Sequence, residues 1–155
     1  MTDKTLRDQL VVLLRGGEAH APLEDAIRGF PSSLAHSRVG SIPHTPWRLL
    51  EHMRIAQWDI LEFCQNPDHV SPEFPDGYWP SGDSPPTANS WDESVSAFCS
   101  DLVAMQRLVA DPQSDLFAPI PHGDGQTLLR EAMLVADHNS YHLGQLLVIR
   151  RGLGR

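Results

Sequence analysis

Apolar residues recur at intervals of three and four along this chain, which is the spacing that places them on one face of an α-helix. Four stretches show it, over residues 6–14, 49–63, 91–109 and 128–149. No stretch shows the alternation of apolar and polar residues that marks a half-buried strand. The pattern therefore predicts an all-α protein, and four amphipathic helices favour a four-helix bundle.

Turn and capping residues set the bounds of the predicted helices. The first begins near Asp3, is broken at Gly16-Gly17, and resumes from Pro22 to about residue 28. The second begins at Thr45, the predicted N-cap, and ends before residue 67, and the fourth runs from residue 126 or 127 to 151. The third covers residues 90–111, and Ser90 stands three residues before a glutamate, which predicts a capping box.

The connection between the second and third helices is unusually long. Residues 67–88 contain six prolines and two glycines, and a structureless stretch of this length in a compact domain is usually functional or a crossover. It is long enough to span a helix of about 30 Å, so these two helices are able to run parallel. Its aromatic residues, Phe74, Tyr78 and Trp79, are expected to pack across one end of the bundle or to cover a pocket.

Composition narrows the class of protein. A chain of 155 residues with 41% hydrophobic and 21% charged residues fits one globular domain over residues 1–155. The net charge of −8 argues against nucleic acid or an anionic membrane as partner. There is no apolar run of membrane-spanning length and no signal-peptide pattern at residues 1–4. Two cysteines, Cys64 and Cys99, are too few for a disulfide framework, so the predicted location is the reducing cytoplasm. Both cysteines are expected to be small core residues.

Histidines supply the candidate chemistry. His138 and His142 are four residues apart on the fourth helix and therefore point the same way, while His52 lies beside the apolar stripe of the second helix. Three neutral imidazoles with an open fourth position are the ligands of a catalytic zinc site, and imidazole also suits nickel, cobalt or iron. The alternative is that hydrogen bonds satisfy the three rings and that the protein is an interaction module.

Several nearby polar residues are candidates for supporting roles. Asp59, Asn139 and Gln145 are predicted as the acceptors that fix the histidine tautomers. His20, at the break in the first helix, is expected to be a loop or cap histidine, with the border of a pocket as the alternative. Ser140 is expected to face away from the histidine pair, and no glycine-rich phosphate loop or Gly-x-Ser-x-Gly motif is present.

These residues together resemble the DinB/YfiT-like family of metalloenzymes. The resemblance is carried by the order of His52 within Leu49-Leu50-Glu51-His52, the late His-x-x-x-His of 138–142, and the closing Arg150-Arg151. The segments 16–20, 47–52 and 123–127 are also similar to one DinB-like branch. The similarity extends over nearly the whole chain, and the order and spacing of its short motifs make it specific.

The resemblance implies a more definite structure and function. It implies an up-down-down-up arrangement of the four helices, a zinc or nickel site formed by His52, His138 and His142, and a homodimer. Family members include transferases and isomerases that use low-molecular-weight thiols, and metal-dependent hydrolases. The expected function is therefore that of an enzyme whose metal lowers the pKa of water or a thiol, with a small-molecule substrate. The alternative is a non-catalytic metal-binding or structural bundle.

Overall fold

The computed structural model describes residues 3–154, and these residues contain five α-helices and no β-strand. The helices are α1 (Asp3–Arg15), α2 (Leu23–Ile27), α3 (Pro46–Gln65), α4 (Ser90–Ala110) and α5 (Leu128–Gly152). Short 3₁₀ turns lie at Ser32–Leu34 and Asp76–Tyr78. The prediction of an all-α protein with four long helices and a break after the first is confirmed.

Helices α3 and α5 begin where the sequence predicts, whereas the cap of α4 differs from the predicted one. The hydroxyl oxygens of Thr45 and Thr127 accept backbone N–H groups in the first turns of α3 and α5, so both threonines are true N-caps. The predicted capping box at Ser90 is wrong, because Asn89 occupies the cap and Ser90 lies inside the first turn. Ser90 is buried, and its hydroxyl accepts the backbone N–H of Thr87 instead.

The long helices pack through their apolar faces. Helix α3 contacts α4 and α5, and α1 contacts the same two helices. Toward one end, the buried core includes Leu10, Met105 and Val135, and toward the other it includes Met53, Phe98 and Leu146. Burial of each such side chain is worth roughly 1.5–3 kcal/mol relative to exposure. The two core clusters thus bring α3 and α5, the helices that carry the histidines, firmly together.

The long connection between α3 and α4 folds back along α3. The Tyr78 hydroxyl donates to Asp59 of α3, and the Thr45 hydroxyl donates to the carbonyl of Asp83. Trp79 is half-buried against α3, whereas Phe74 is 84% exposed. The expectation that all three aromatic residues pack against the bundle is therefore wrong for Phe74, whose ring meets the Tyr78 ring at a centroid distance of 6.2 Å and is otherwise largely exposed.

Two further observations concern the molecule as a whole. Arg7 of α1 is buried, and its guanidinium donates to the carbonyls of Val109, Asp111 and Ser114 at and beyond the end of α4. Within residues 3–154, no helix is both long enough and apolar enough to cross a membrane.

Candidate metal centre

The three predicted histidines converge on one point between α3 and α5. The Nε2 atom of His52 lies 3.0 Å from Nε2 of His138 and 3.1 Å from Nε2 of His142. One ligand nitrogen from each ring lies within 4.8 Å of the other two, a grouping that could hold a metal ion. His52 and His142 are buried, and His138 is half-buried. The sequence prediction that these three residues meet is confirmed.

Hydrogen bonds on the far side of two rings determine where their protons lie. Nδ1 of His52 is 2.8 Å from the carbonyl oxygen of Tyr78, and Nδ1 of His142 is 2.9 Å from Oε1 of Gln145. A carbonyl oxygen only accepts hydrogen bonds, so each Nδ1 carries the proton and donates. In the neutral ring the Nε2 atom then presents a lone pair, and both lone pairs point toward the centre of the cluster.

This arrangement places lone pairs against one another. The Nε2 atoms of His52 and His142 are 3.1 Å apart, and two acceptors at this distance repel unless a positive charge lies between them. The single lone pair of His52 cannot satisfy both of the other rings. In a tetrahedral zinc site with Zn–N bonds of about 2.0–2.1 Å, the nitrogens are roughly 3.3–3.4 Å apart. The two separations from His52 are within a few tenths of an ångström of that value, and the nitrogens of His138 and His142 lie within 4.8 Å of each other, so the donor set could hold a divalent metal.

Burial keeps the three rings in the form that binds metal. Desolvation by burial, together with the charges that His142 and His52 would carry, lowers the pKa of His138 to about 4. Burial lowers the pKa of His52. The hydrogen bond from its ring to the Tyr78 carbonyl raises the pKa and offsets part of this effect. Burial likewise lowers the pKa of His142, partly offset by Gln145. All three rings are therefore neutral at pH 7.

An aromatic stack covers the outer face of His52. The Trp79 ring lies flat on the His52 ring, with centroids 3.8 Å apart and an interplanar angle of 1°. His44 stacks on Trp79 with its centroid at 4.4 Å. The sequence prediction missed His44, because it lies in the loop before α3 and has no helical spacing to any other histidine. Its only signal is its position immediately before the predicted N-cap of α3.

Of the three predicted supporting acceptors, only Gln145 contacts a cluster histidine. Asp59 instead accepts from the Tyr78 hydroxyl and from Nε2–H of His69, each at 2.7 Å. Asn139 donates to Gln57, in the interior between α3 and α5. The predictions for Asp59 and Asn139 are wrong because helical spacing indicates the face on which a side chain lies, whereas nearer partners decide its bonds. The backbone carbonyl of Tyr78 takes the role instead.

The remaining histidine and hydroxyl candidates lie outside the cluster. His20 is exposed, and its Nε2 lies 3.1 Å from the Ser140 hydroxyl oxygen. Ser140 donates to the carbonyl of Ala136 and faces away from the histidine pair, as predicted. His122 is exposed and donates to the carbonyl of Phe63 near the end of α3.

The two cysteines are free thiols, and each is half-buried. Burial raises the pKa of Cys64 to about 12 and raises that of Cys99. Both therefore stay protonated at pH 7, as expected of small packing residues rather than nucleophiles.

Fold and site together define a class: a helical protein with a three-histidine cluster held between two long helices. Comparison of the chain with protein-family models, with curated proteins and with solved structures finds no match. Membership of the DinB-like family therefore stays a prediction from the sequence motifs.

Proposed function

We propose that this protein is a metal-dependent enzyme of the DinB-like class, of hydrolase or thiol S-transferase type. His52, His138 and His142 are its metal ligands, and zinc or nickel is the metal. The observation that carries the proposal is the fixed direction of the ring protons on His52 and His142. Because both Nδ1–H groups are donated outward, the Nε2 lone pairs converge where a cation would bind.

The chain's own residues have defined parts in this proposal. A divalent metal at the cluster would act as a Lewis acid and lower the pKa of a water molecule or a thiol. The three histidines are ligands and not general bases, because their lone pairs are committed to the cluster. Tyr78 and Gln145 hold the ring tautomers, and Trp79 shields one face of His52 from water.

We also propose the up-down-down-up order of helices. Support for it comes from the hydrogen bonds between α3 and α4, whose residue numbers increase in the same direction along both helices. Glu51 accepts from Ser94, and Gln57 donates to the carbonyl of Phe98 further along both helices. Between α3 and α5 the order is reversed, since His52 meets His142 and Gln57 meets Asn139. Parallel neighbours joined by the long connection are the pattern expected of this arrangement.

The expected partners follow from the same class. We propose a small-molecule substrate, with a low-molecular-weight thiol as one candidate, a homodimeric assembly and a cytoplasmic location. The competing function is a metal-binding or structural bundle without turnover, and an assay of the metal-loaded protein separates the two.

The test begins with metal content. Protein purified without an affinity tag is stripped with chelator, supplied with zinc or nickel, and analysed by elemental mass spectrometry. We expect about one equivalent per chain, a loss of affinity of more than roughly 100-fold in His52→Ala, and no change in His122→Ala, which removes an exposed histidine outside the cluster. Less than one equivalent in the wild type, or equal binding by both variants, would contradict the metal site.

Turnover is tested on the same samples. The loaded and stripped proteins are assayed with a panel of thiol acceptors, esters and amides. Turnover that disappears with chelator and returns with metal supports the enzyme. Stoichiometric metal with no turnover across the panel favours the non-catalytic alternative.

A further inference from the structure

The first part of the connection between α3 and α4 is attached to α3 near both of its ends. The Nε2–H group of His69 donates to Oδ1 of Asp59, and the Tyr78 hydroxyl donates to Oδ2 of the same carboxylate, each at 2.7 Å. Between these two points the chain stands away from the bundle, since Val70 and Phe74 are both 84% exposed. One carboxylate of α3 therefore joins the two ends of segment 69–78.

The segment between the two attachments is tightly folded on itself. The backbone N–H of Gly77 donates to the carbonyl of Glu73 at 2.7 Å. Pro72 lies so close to Gly77 that a Cβ atom added there would meet the proline side chain at 2.9 Å. A displacement of His69 is therefore expected to reach Tyr78 through this compact turn as well as through the shared carboxylate.

The bond between His69 and Asp59 lies in the protein interior. The two side chains are only 7% and 9% exposed. A buried hydrogen bond to a carboxylate is strong, and the loss of one partner leaves the other without a replacement from water. In the part of the chain that the structure describes, His69 is the one basic side chain that pairs with Asp59.

Tyr78 carries this attachment on to the histidine cluster. Its carbonyl accepts the Nδ1–H of His52 at 2.8 Å, and the next residue, Trp79, stacks on the His52 ring. Burial and the bond to Asp59 raise the pKa of Tyr78 to about 12, so its hydroxyl is a donor at neutral pH. A continuous series of contacts thus leads from His69 through Asp59 and Tyr78 to His52.

We infer that His69 is a positioning residue of the histidine cluster. By holding the connection on Asp59, it keeps the Tyr78 carbonyl and the Trp79 ring against His52, although it contacts none of the three cluster histidines itself. The inference rests on the proposed function where it treats His52 as a metal ligand. The orientation of the His52 ring is tested separately, without metal.

The cluster supplies its own internal comparison for this test. The Nδ1–H of His52 is held by the connection, whereas that of His142 is held by Gln145 within α5. Exchange of both protons with solvent is measured by ¹⁵N-resolved NMR on chelator-treated protein. We expect His69→Phe to speed exchange at His52 about fivefold or more and exchange at His142 by less than about twofold. Equal acceleration at both rings, or none at either, would overturn the inference.

Two further variants separate the hydrogen bond from packing. His69→Phe keeps a ring against Trp58, which meets the His69 ring at a centroid distance of 5.1 Å, but it removes the donor. His69→Gln restores an N–H donor without the ring, so exchange at His52 should stay within about twofold of the wild type. The matched control is His122→Phe, which replaces an exposed histidine that bonds to the Phe63 carbonyl instead. The same acceleration in His69→Gln as in His69→Phe would contradict a role through the bond.

Asp59→Asn tests the same attachment from the side of α3. Its amide has one oxygen for two donors, so exchange at His52 should again be faster while His142 is unaffected. This variant decides the question if His69→Phe does not fold, and unchanged exchange at His52 would refute the attachment.

A double-mutant cycle tests the route through Tyr78. If His69 acts through the Asp59–Tyr78 bond, His69→Phe and Tyr78→Phe remove the same support, and their combined effect on exchange at His52 should be smaller than the product of the two. Independent effects that multiply fully would refute this route.

Zinc affinity connects the positioning role with the proposed function. We expect zinc to bind roughly threefold to tenfold more weakly to His69→Phe, and about as tightly to His69→Gln as to the wild type. Wild-type protein that takes up no zinc would contradict the proposed function. Equal zinc affinity of the wild type and His69→Phe would contradict the positioning role alone.

Discussion

A backbone atom, and not another side chain, determines the tautomer of the neutral His52 ring. The carbonyl of Tyr78 can only accept, so it fixes the proton on Nδ1 and leaves Nε2 free for the cluster. Gln145 does the same for His142, within one turn of the same helix. These two hydrogen bonds are what distinguish the cluster from three histidines that merely happen to be close.

The low pKa of the buried rings makes stability depend on pH in the stripped protein. The pKa of His138 is about 4 in the folded state, whereas an unfolded histidine titrates near 6.5. As pH falls from about 6.5 to about 4, the unfolded chain takes up a proton that the folded protein does not, so the free energy of unfolding decreases. We expect about 2 kcal/mol from this ring after allowing for its partial exposure.

This pH dependence is measured by urea unfolding of chelator-treated protein at several pH values. His138→Gln lacks the titrating ring, so its stability should fall less steeply over the same range. Equal slopes for wild type and variant would show that desolvation of His138 does not contribute.

At the scale of elements, the long connection between α3 and α4 is part of the site. Its 3₁₀ turn at Asp76–Tyr78 is attached to α3 at two places, through the Tyr78 hydroxyl on Asp59 and the Tyr78 carbonyl on His52. His69 shares the Asp59 carboxylate and helps to bury it. The connection thus orients the His52 ring as well as joining two helices.

Removal of one hydroxyl should loosen this attachment. In Tyr78→Phe the bond to Asp59 is lost while the backbone carbonyl remains, so His52 is oriented less firmly and metal affinity should fall roughly tenfold. Tyr141→Phe is the control, since it removes the hydroxyl of an exposed tyrosine. Competition with a chromogenic chelator measures both affinities, and an unchanged value for Tyr78→Phe would mean that the connection does not position the ligand.

At the scale of the whole molecule, a few buried polar side chains tie distant segments together. Gln57 is almost fully buried, donates to the carbonyl of Phe98 on α4 and accepts from Asn139 on α5. Arg7 joins the start of α1 to the end of α4 across about a hundred residues of chain. Because its guanidinium donates to the Val109 carbonyl in the last turn of α4, where a helix leaves carbonyl groups without an intrahelical partner, Arg7 acts as a tertiary cap.

Replacement of Arg7 should destabilise the fold without changing the histidine cluster. Arg7→Met keeps most of the packing but removes the charge-assisted hydrogen bonds, so the free energy of unfolding should fall by about 2–3 kcal/mol. Arg15→Met on the same helix removes only an exposed pair with Glu18 and should change stability by less than about 0.5 kcal/mol. Chemical denaturation gives both values, and metal affinity should be the same in all three proteins. A loss of metal affinity in Arg7→Met would contradict this separation of fold and site.

Local pattern was enough to determine the helices and part of the site. The three-and-four spacing of apolar residues, with Thr45 as the predicted cap of α3, indicates where α3 and α5 begin, because these signals act within one or two turns. The four-residue separation of His138 and His142 places both rings on one face for the same reason. The position of His52 beside an apolar stripe was enough to predict it as the third histidine of the cluster. Its distance to His138 and His142, however, depends on how α3 packs against α5.

Only the tertiary structure decided which groups surround the cluster. The Tyr78 carbonyl, the Trp79 ring and His44 come from irregular segments, where spacing along the chain does not indicate direction. Asp59 and Asn139 lie where helical geometry allows a contact with the histidines, yet each bonds to a closer partner. Periodicity determines the face of a helix, whereas the bond that a side chain makes depends on what the rest of the chain brings to that face.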